Sequence, residues 1–148
     1  NLYLNDKFIG PAMNKENTRT LFEAFPELYR GRFLDMKENL MCFGFECDDG
    51  WFELLYDLSR EITEHCAASG DPVPLAVQVK EKFGTLRFYA DNTSEAVDDI
   101  IEKYQEKSGG ICEVTGAPGK LCHRRGRLKT LSEEEVRKDG FCPGTKTT

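Results

Sequence analysis

The chain has 148 residues, of which 39% are hydrophobic, 11% aromatic and 31% charged, and its net charge is −6. That length buries about 70% of the unfolded surface in one folded domain, and the composition is too apolar for a disordered chain. No apolar run approaches the roughly 20 residues of a membrane helix, and no basic-then-apolar leader opens the chain, so the sequence reads as a cytoplasmic protein with no membrane partner. The six cysteines follow no spaced disulfide framework and read as reduced, mostly buried thiols. Charge is uneven: residues 1–69 hold 7 basic against 13 acidic side chains, and residues 70–148 hold 13 of each, which directs an anionic partner to the second half.

Taken in chain order, "KENTRTLFEAF" (15–25) sets Leu21, Phe22 and Phe25 at helical spacing before Pro26 and predicts a short helix. "LMCFGFEC" (40–47) reads as a strand ending at "DDG", with Asp49 as the N-cap of the next element. From Trp51 to Cys66 the positions Trp51, Leu54, Leu55, Leu58, Ile62 and Cys66 recur every three to four residues, the pattern of an amphipathic helix that "SGDPVP" ends. In "PLAVQVKEKFGTLRFYA", Leu75, Val77 and Val79 alternate with polar positions, as do Leu86 and Phe88 after the turn, which predicts a hairpin with one buried face. "TSEAVDDIIEKYQEKSGG" gives a helix capped at Thr93 or Ser94 and stopped at Gly109 and Gly110. The remainder reads as a knuckle, "CEVTGAPG", a basic hairpin turning near Gly126, and a helix from Ser132 to Lys138. The fold class expected is α+β: a small antiparallel sheet with helices on one face, residues 1–110 forming the core domain and residues 111–148 a tail packed on it.

"GFECDDGWFELL", "VQVKEKFGTLRFY" and "CEVTGAPGKLC" together resemble a family of small uncharacterised proteins of tailed phages and prophages. The resemblance implies phage or prophage origin, an accessory role in the cytoplasm of a bacterial host, and a treble-clef-like zinc tail. The matching ligand positions here are Cys112, Thr115, Ser132 and Glu135, three of which are poor zinc donors, so the site reads as degenerate, with no metal and no cofactor. Ser132 and Glu135 have the spacing of a capping box instead. A rival zinc set, Cys112, Cys122, His123 and Cys142, lacks any close ligand pair of knuckle spacing.

Two cationic clusters are the candidate ligand sites. On the hairpin, Gln78, Lys80, Arg87 and Tyr89 share one parity, with Lys82 and Phe83 at the turn: ammonium and guanidinium groups suit phosphate, and the rings suit a base. In the tail, Lys120, Arg124, Arg125, Arg127 and Lys129 fall within ten residues. The competing reading of both is a solvated face paired with acids.

Enzyme readings are weaker. Glu46, Asp48 and Asp49 with Glu53 or Asp57 have the chemistry of a magnesium site, but the same acids suit a helix start. His65 and Cys66 are adjacent and point about 100° apart on a helix, which unsuits them as a catalytic pair. Trp51 lies on the apolar stripe as a core anchor, and neither Gly-rich segment has P-loop spacing. The function expected is therefore a non-enzymatic, counter-defence type accessory protein binding a nucleotide-like anionic ligand. The alternatives are a nucleic-acid-binding module and an inhibitor of a host defence protein whose acidic half mimics DNA, with a homo-oligomer compatible with each.

Overall fold

The computed structural model describes residues 11–144, so the outer limits of the two expected domains, residues 1 and 148, lie outside the described residues. Helix α1 spans Lys15–Ala24 and starts where the Asn14 carboxamide accepts from the backbone N–H of Asn17 at 2.7 Å. Strand β1 is short, Phe45–Glu46; helix α2 is Phe52–Ser69; strands β2 (Leu75–Lys82) and β3 (Thr85–Asp91) form the hairpin; and α3 is Glu95–Ser108. The tail contributes β4 (Lys120–Arg124), β5 (Arg127–Leu131), α4 (Glu133–Asp139) and β6 (Cys142–Pro143). The result is an α+β fold of two three-stranded sheets, in the orders β1-β2-β3 and β5-β4-β6.

All six apolar positions of the Trp51–Cys66 stripe are buried, together with Ala76, Val79, Leu86 and Phe88 of the sheet and Val97, Ile101 and Tyr104 of α3. α3 packs along β3 and against α2. A second, smaller cluster under the tail holds Cys112, Cys122, Leu131 and Phe141. The two are stitched together: Trp51 Nε1 donates to the Ile111 carbonyl at 2.9 Å, and Thr130 Oγ1 donates to the Gly84 carbonyl at 2.7 Å. A Cβ on Gly50 would stand 2.3 Å from the Glu113 carbonyl oxygen, so the "DDGW" turn lies flat against the knuckle as only glycine allows.

Four expectations are corrected. The sheet is mixed, because β1 pairs parallel to β2 while β2 and β3 are antiparallel. Residues 40–47 are mostly not a strand: Met41–Phe43 form a 3-10 turn, and Gly44, at φ +76°, breaks the chain before β1. Asp49 does not cap α2. Its Oδ1 accepts from the Asn14 N–H at 2.9 Å and from Asn17 Nδ2 at 3.1 Å, tying α2's approach to the start of α1. Val77 is not on the core face. It is the extra residue of a bulge between the pairs Ala76 with Ala90 and Gln78 with Tyr89, so Ala76 takes the buried place. The bulge leaves the Val77 carbonyl free to accept from Leu40 N–H at 2.9 Å, while Asn39 Nδ2 donates to the Ala76 carbonyl at 2.9 Å.

The other edge of the hairpin is closed by α3. The N–H of Phe88 donates to Gln105 Oε1 at 2.9 Å and that of Leu86 to Ser108 Oγ at 2.9 Å, so backbone donors that face away from β2 are satisfied by helix side chains.

Candidate functional site

Beyond the bulge the ladder is regular, and its register decides which side chains share a face. Gln78 lies opposite Tyr89, Lys80 opposite Arg87 and Lys82 opposite Thr85, while Val79 and Phe88 pair on the buried side. Alternation therefore turns Gln78, Lys80, Lys82, Arg87 and Tyr89 to one outer face, as the sequence parity requires. Glu46 joins them through its register with Lys80 and accepts from Gln78 Nε2 at 2.9 Å, an acid on this face that the sequence reading did not place there.

The hairpin turns in two residues, Phe83 and Gly84, both left-handed at φ 55° and 89°. Glycine adopts that conformation freely; a phenylalanine there is uncommon and costs on the order of 1 kcal/mol. Phe83 is 65% exposed, so no core packing offsets the strain, and the Lys82 ammonium stands 5.6 Å from its ring centroid. Tyr89 is likewise exposed. Among the described residues, no carboxylate lies within ion-pair distance of Lys80, Lys82 or Arg87.

Gly84 also packs beside Leu121 and the backbone of Leu128 and Lys129, which sets the hairpin tip against β4 and β5. The tail turn, Arg125 and Gly126, has φ 51° and 80°, and Arg124 lies opposite Arg127. Arg125 and Arg127 are exposed and have no ion pair among the described residues. Arg124 is engaged within the tail: Nη1 donates to the Asp139 carbonyl and its guanidinium lies 4.8 Å from the Phe141 ring.

Lys129, grouped with these cations in the sequence, points inward instead. Its ammonium is 3.1 Å from Asp48 Oδ2 and 3.7 Å from Glu113 Oε1. Glu113 is fully buried; its Oε2 accepts from Asp48 N–H at 3.0 Å and its Oε1 has no hydrogen-bond partner. Burial pushes its carboxyl up to about 7 against the pull of Lys129. A lone acid following a knuckle cysteine carries no sequence signal of such burial.

The metal candidates separate. Cys122 is buried beneath the tail sheet whereas its neighbour His123 alternates to the other side, where Nδ1 meets the Gly144 carbonyl at 2.8 Å. Among the described residues no three His, Cys, Asp or Glu side chains converge as metal ligands. Cys112 Sγ instead accepts from Thr115 N–H at 3.4 Å, and Ser132 Oγ accepts from Glu135 N–H at 3.3 Å. The acids at the start of α2 also disperse: Glu46 to Gln78, Asp48 to Lys129, Asp49 to α1. His65 Nε2 meets Asp71 Oδ2 at 2.8 Å while Cys66 Sγ donates to the Pro72 carbonyl, so the two do not address each other.

Comparison with known protein families, with characterised proteins and with solved structures finds no match.

Proposed function

We propose that this chain is a non-enzymatic binding protein, a phage accessory of the counter-defence type acting in the host cytoplasm, that takes a phosphate-bearing ligand on the outer face of β2 and β3. The observation that carries the reading is the register: Lys80 beside Arg87 and Gln78 beside Tyr89, with the strained, exposed Phe83 at the tip. A guanidinium fork and an ammonium suit phosphate oxygens, and the two rings suit bases.

The shape of the face selects among phosphate ligands. A mononucleotide is usually held in a cleft that buries most of it. Two concavities, one beside α1 and one at Pro118–Lys120, include none of the hairpin residues. An open sheet with rings and cations in adjacent rows fits a single strand of nucleic acid, phosphates along Lys80 and Arg87 and bases against Tyr89 and Phe83. Arg125 and Arg127 are exposed on the adjoining β4–β5 hairpin, whose backbone at Leu128 and Lys129 meets Gly84, and are candidates to add charge to the site.

The test is fluorescence anisotropy with single-stranded oligonucleotides of increasing length, against mononucleotides as competitors. Affinity should rise with length and fall with salt, with a log–log slope of about −2 for one phosphate contact each from Lys80, Lys82 and Arg87. Arg87→Ala should weaken binding by about 2 kcal/mol without unfolding, and Arg87→Lys should restore only part, since a point charge does not reproduce the fork. Equal binding by Arg87→Ala and the parent would reduce the face to a solvated surface.

A further inference from the structure

A second surface lies in the acidic half of the chain and takes no part in the hairpin site. α1 presents Lys15, Arg19, Phe22 and Glu23 along one stripe, and the 3-10 turns Arg30–Phe33 and Met41–Phe43 bring Arg32 and Phe43 opposite. Together they line an open groove of about 480 Å³. Three cations and one carboxylate line it, and among the described residues none of the three cations has an ion-pair partner. Arg32 is fixed in place: Nη1 donates to the Tyr29 carbonyl at 2.8 Å, and its guanidinium lies 5.0 Å from the Phe22 ring and 4.2 Å from the Phe33 ring.

The rim is apolar. Phe33 is 78% exposed, Leu34 41%, Met36 60% and Phe43 56%, four large apolar side chains within eleven positions of the chain. Scattered exposed apolar residues need no explanation, but exposed rings at a groove lined by cations mark an interaction surface. The Glu23 carboxylate within the lining repels a phosphate backbone, whereas a peptide can set its acids against the cations and its apolar side chains against the two rings. A second copy of this chain docking here about a two-fold axis would set the same cations against each other. The charge complement is an acid.

We propose that this groove and its rim form a docking site for an acidic segment of a partner protein, one that sets large apolar anchors against Phe33 and Phe43 and flanking carboxylates against Lys15, Arg19 and Arg32. Arg32 supplies a preorganised fork at the boundary between the two zones, which favours a carboxylate directly beside an anchor.

The test uses a labelled synthetic peptide of about 12 residues that alternates Asp and Glu with Leu and Phe, and a control with Lys in place of every acid, each titrated with the full chain by anisotropy. The acidic peptide should bind saturably and the Lys control should not. Arg19→Glu and Phe43→Ser, both at exposed positions, should each weaken it at least tenfold with unchanged circular dichroism, and Arg87→Ala should leave it unaffected. Equal binding of the two peptides, unchanged affinity in both groove variants, or a dimer in sedimentation equilibrium that Phe33→Ser dissolves would each overturn the proposal, the last in favour of a second copy as the occupant.

Discussion

The buried carboxyl of Glu113 should make stability fall as pH rises through the neutral range. Its value in the folded chain is raised from 4.5 to about 7, so the folded state holds this proton more tightly than the unfolded state does. The stabilisation is therefore present below about 4.5 and is lost as pH climbs to about 7. At 1.36 kcal/mol per pH unit the full effect is about 3 kcal/mol, of which about 2.5 kcal/mol is lost between pH 5 and 8. Glu113→Gln isolates this contribution, since its amide oxygen still accepts from the Asp48 N–H while nothing titrates and Lys129 keeps Asp48. Urea unfolding of both proteins at pH 5 and pH 8 is the assay. The parent should lose about 2.5 kcal/mol more than the variant over that interval, whereas background repulsion in an acidic chain is common to both. Parallel pH profiles would refute the reasoning and place Glu113 as a stably ionised partner of Lys129.

Leu58→Ala, fully buried on the α2 stripe, should cost about 2–5 kcal/mol in chemical denaturation through the cavity it leaves. Glu61→Ala, on the flank of that stripe where α2 meets α3, should cost about 1 kcal/mol, because Glu61 accepts from both Lys103 and the Tyr104 hydroxyl. Thr115→Cys, Ser132→Cys and Glu135→His combined should create zinc affinity beside Cys112, read as about one zinc per chain by elemental analysis with far less in the parent. Stoichiometric zinc in the parent would show that its tail already holds the metal.

What the sequence makes legible follows from how local the cause is. The α2 stripe is readable because a 3.6-residue period persists for over four turns, and the outer face of the hairpin because period two holds without interruption from Gln78 to Lys82. Val77 is misassigned because parity resets at the bulge, whose partner Leu40 lies far back in the chain. Residues 40–47 have the apolar composition of a strand, but Gly44 in the left-handed region decides the path. Asp49 has the chemistry of a cap and the right offset from α2, yet it serves a helix 35 residues earlier. The buried Glu113 and the groove at α1 are invisible for the same reason. Each is assembled from segments that meet only in the folded chain, and no local period or motif announces the meeting.

The way α3 meets β3 has a consequence for the protein in a crowded cell. An uncovered strand edge is a template onto which any other extended chain can add, the first step toward fibrils and swapped dimers. Here Gln105 and Ser108 occupy two edge donors of β3, while Leu28, Asn39 and Leu40 occupy the edge of β2 before β1 begins. A hairpin that displays rings and cations on one face can thus be produced in quantity without recruiting its own copies edge to edge. Its open surfaces are left to recognition by side chains, which a competing backbone cannot imitate.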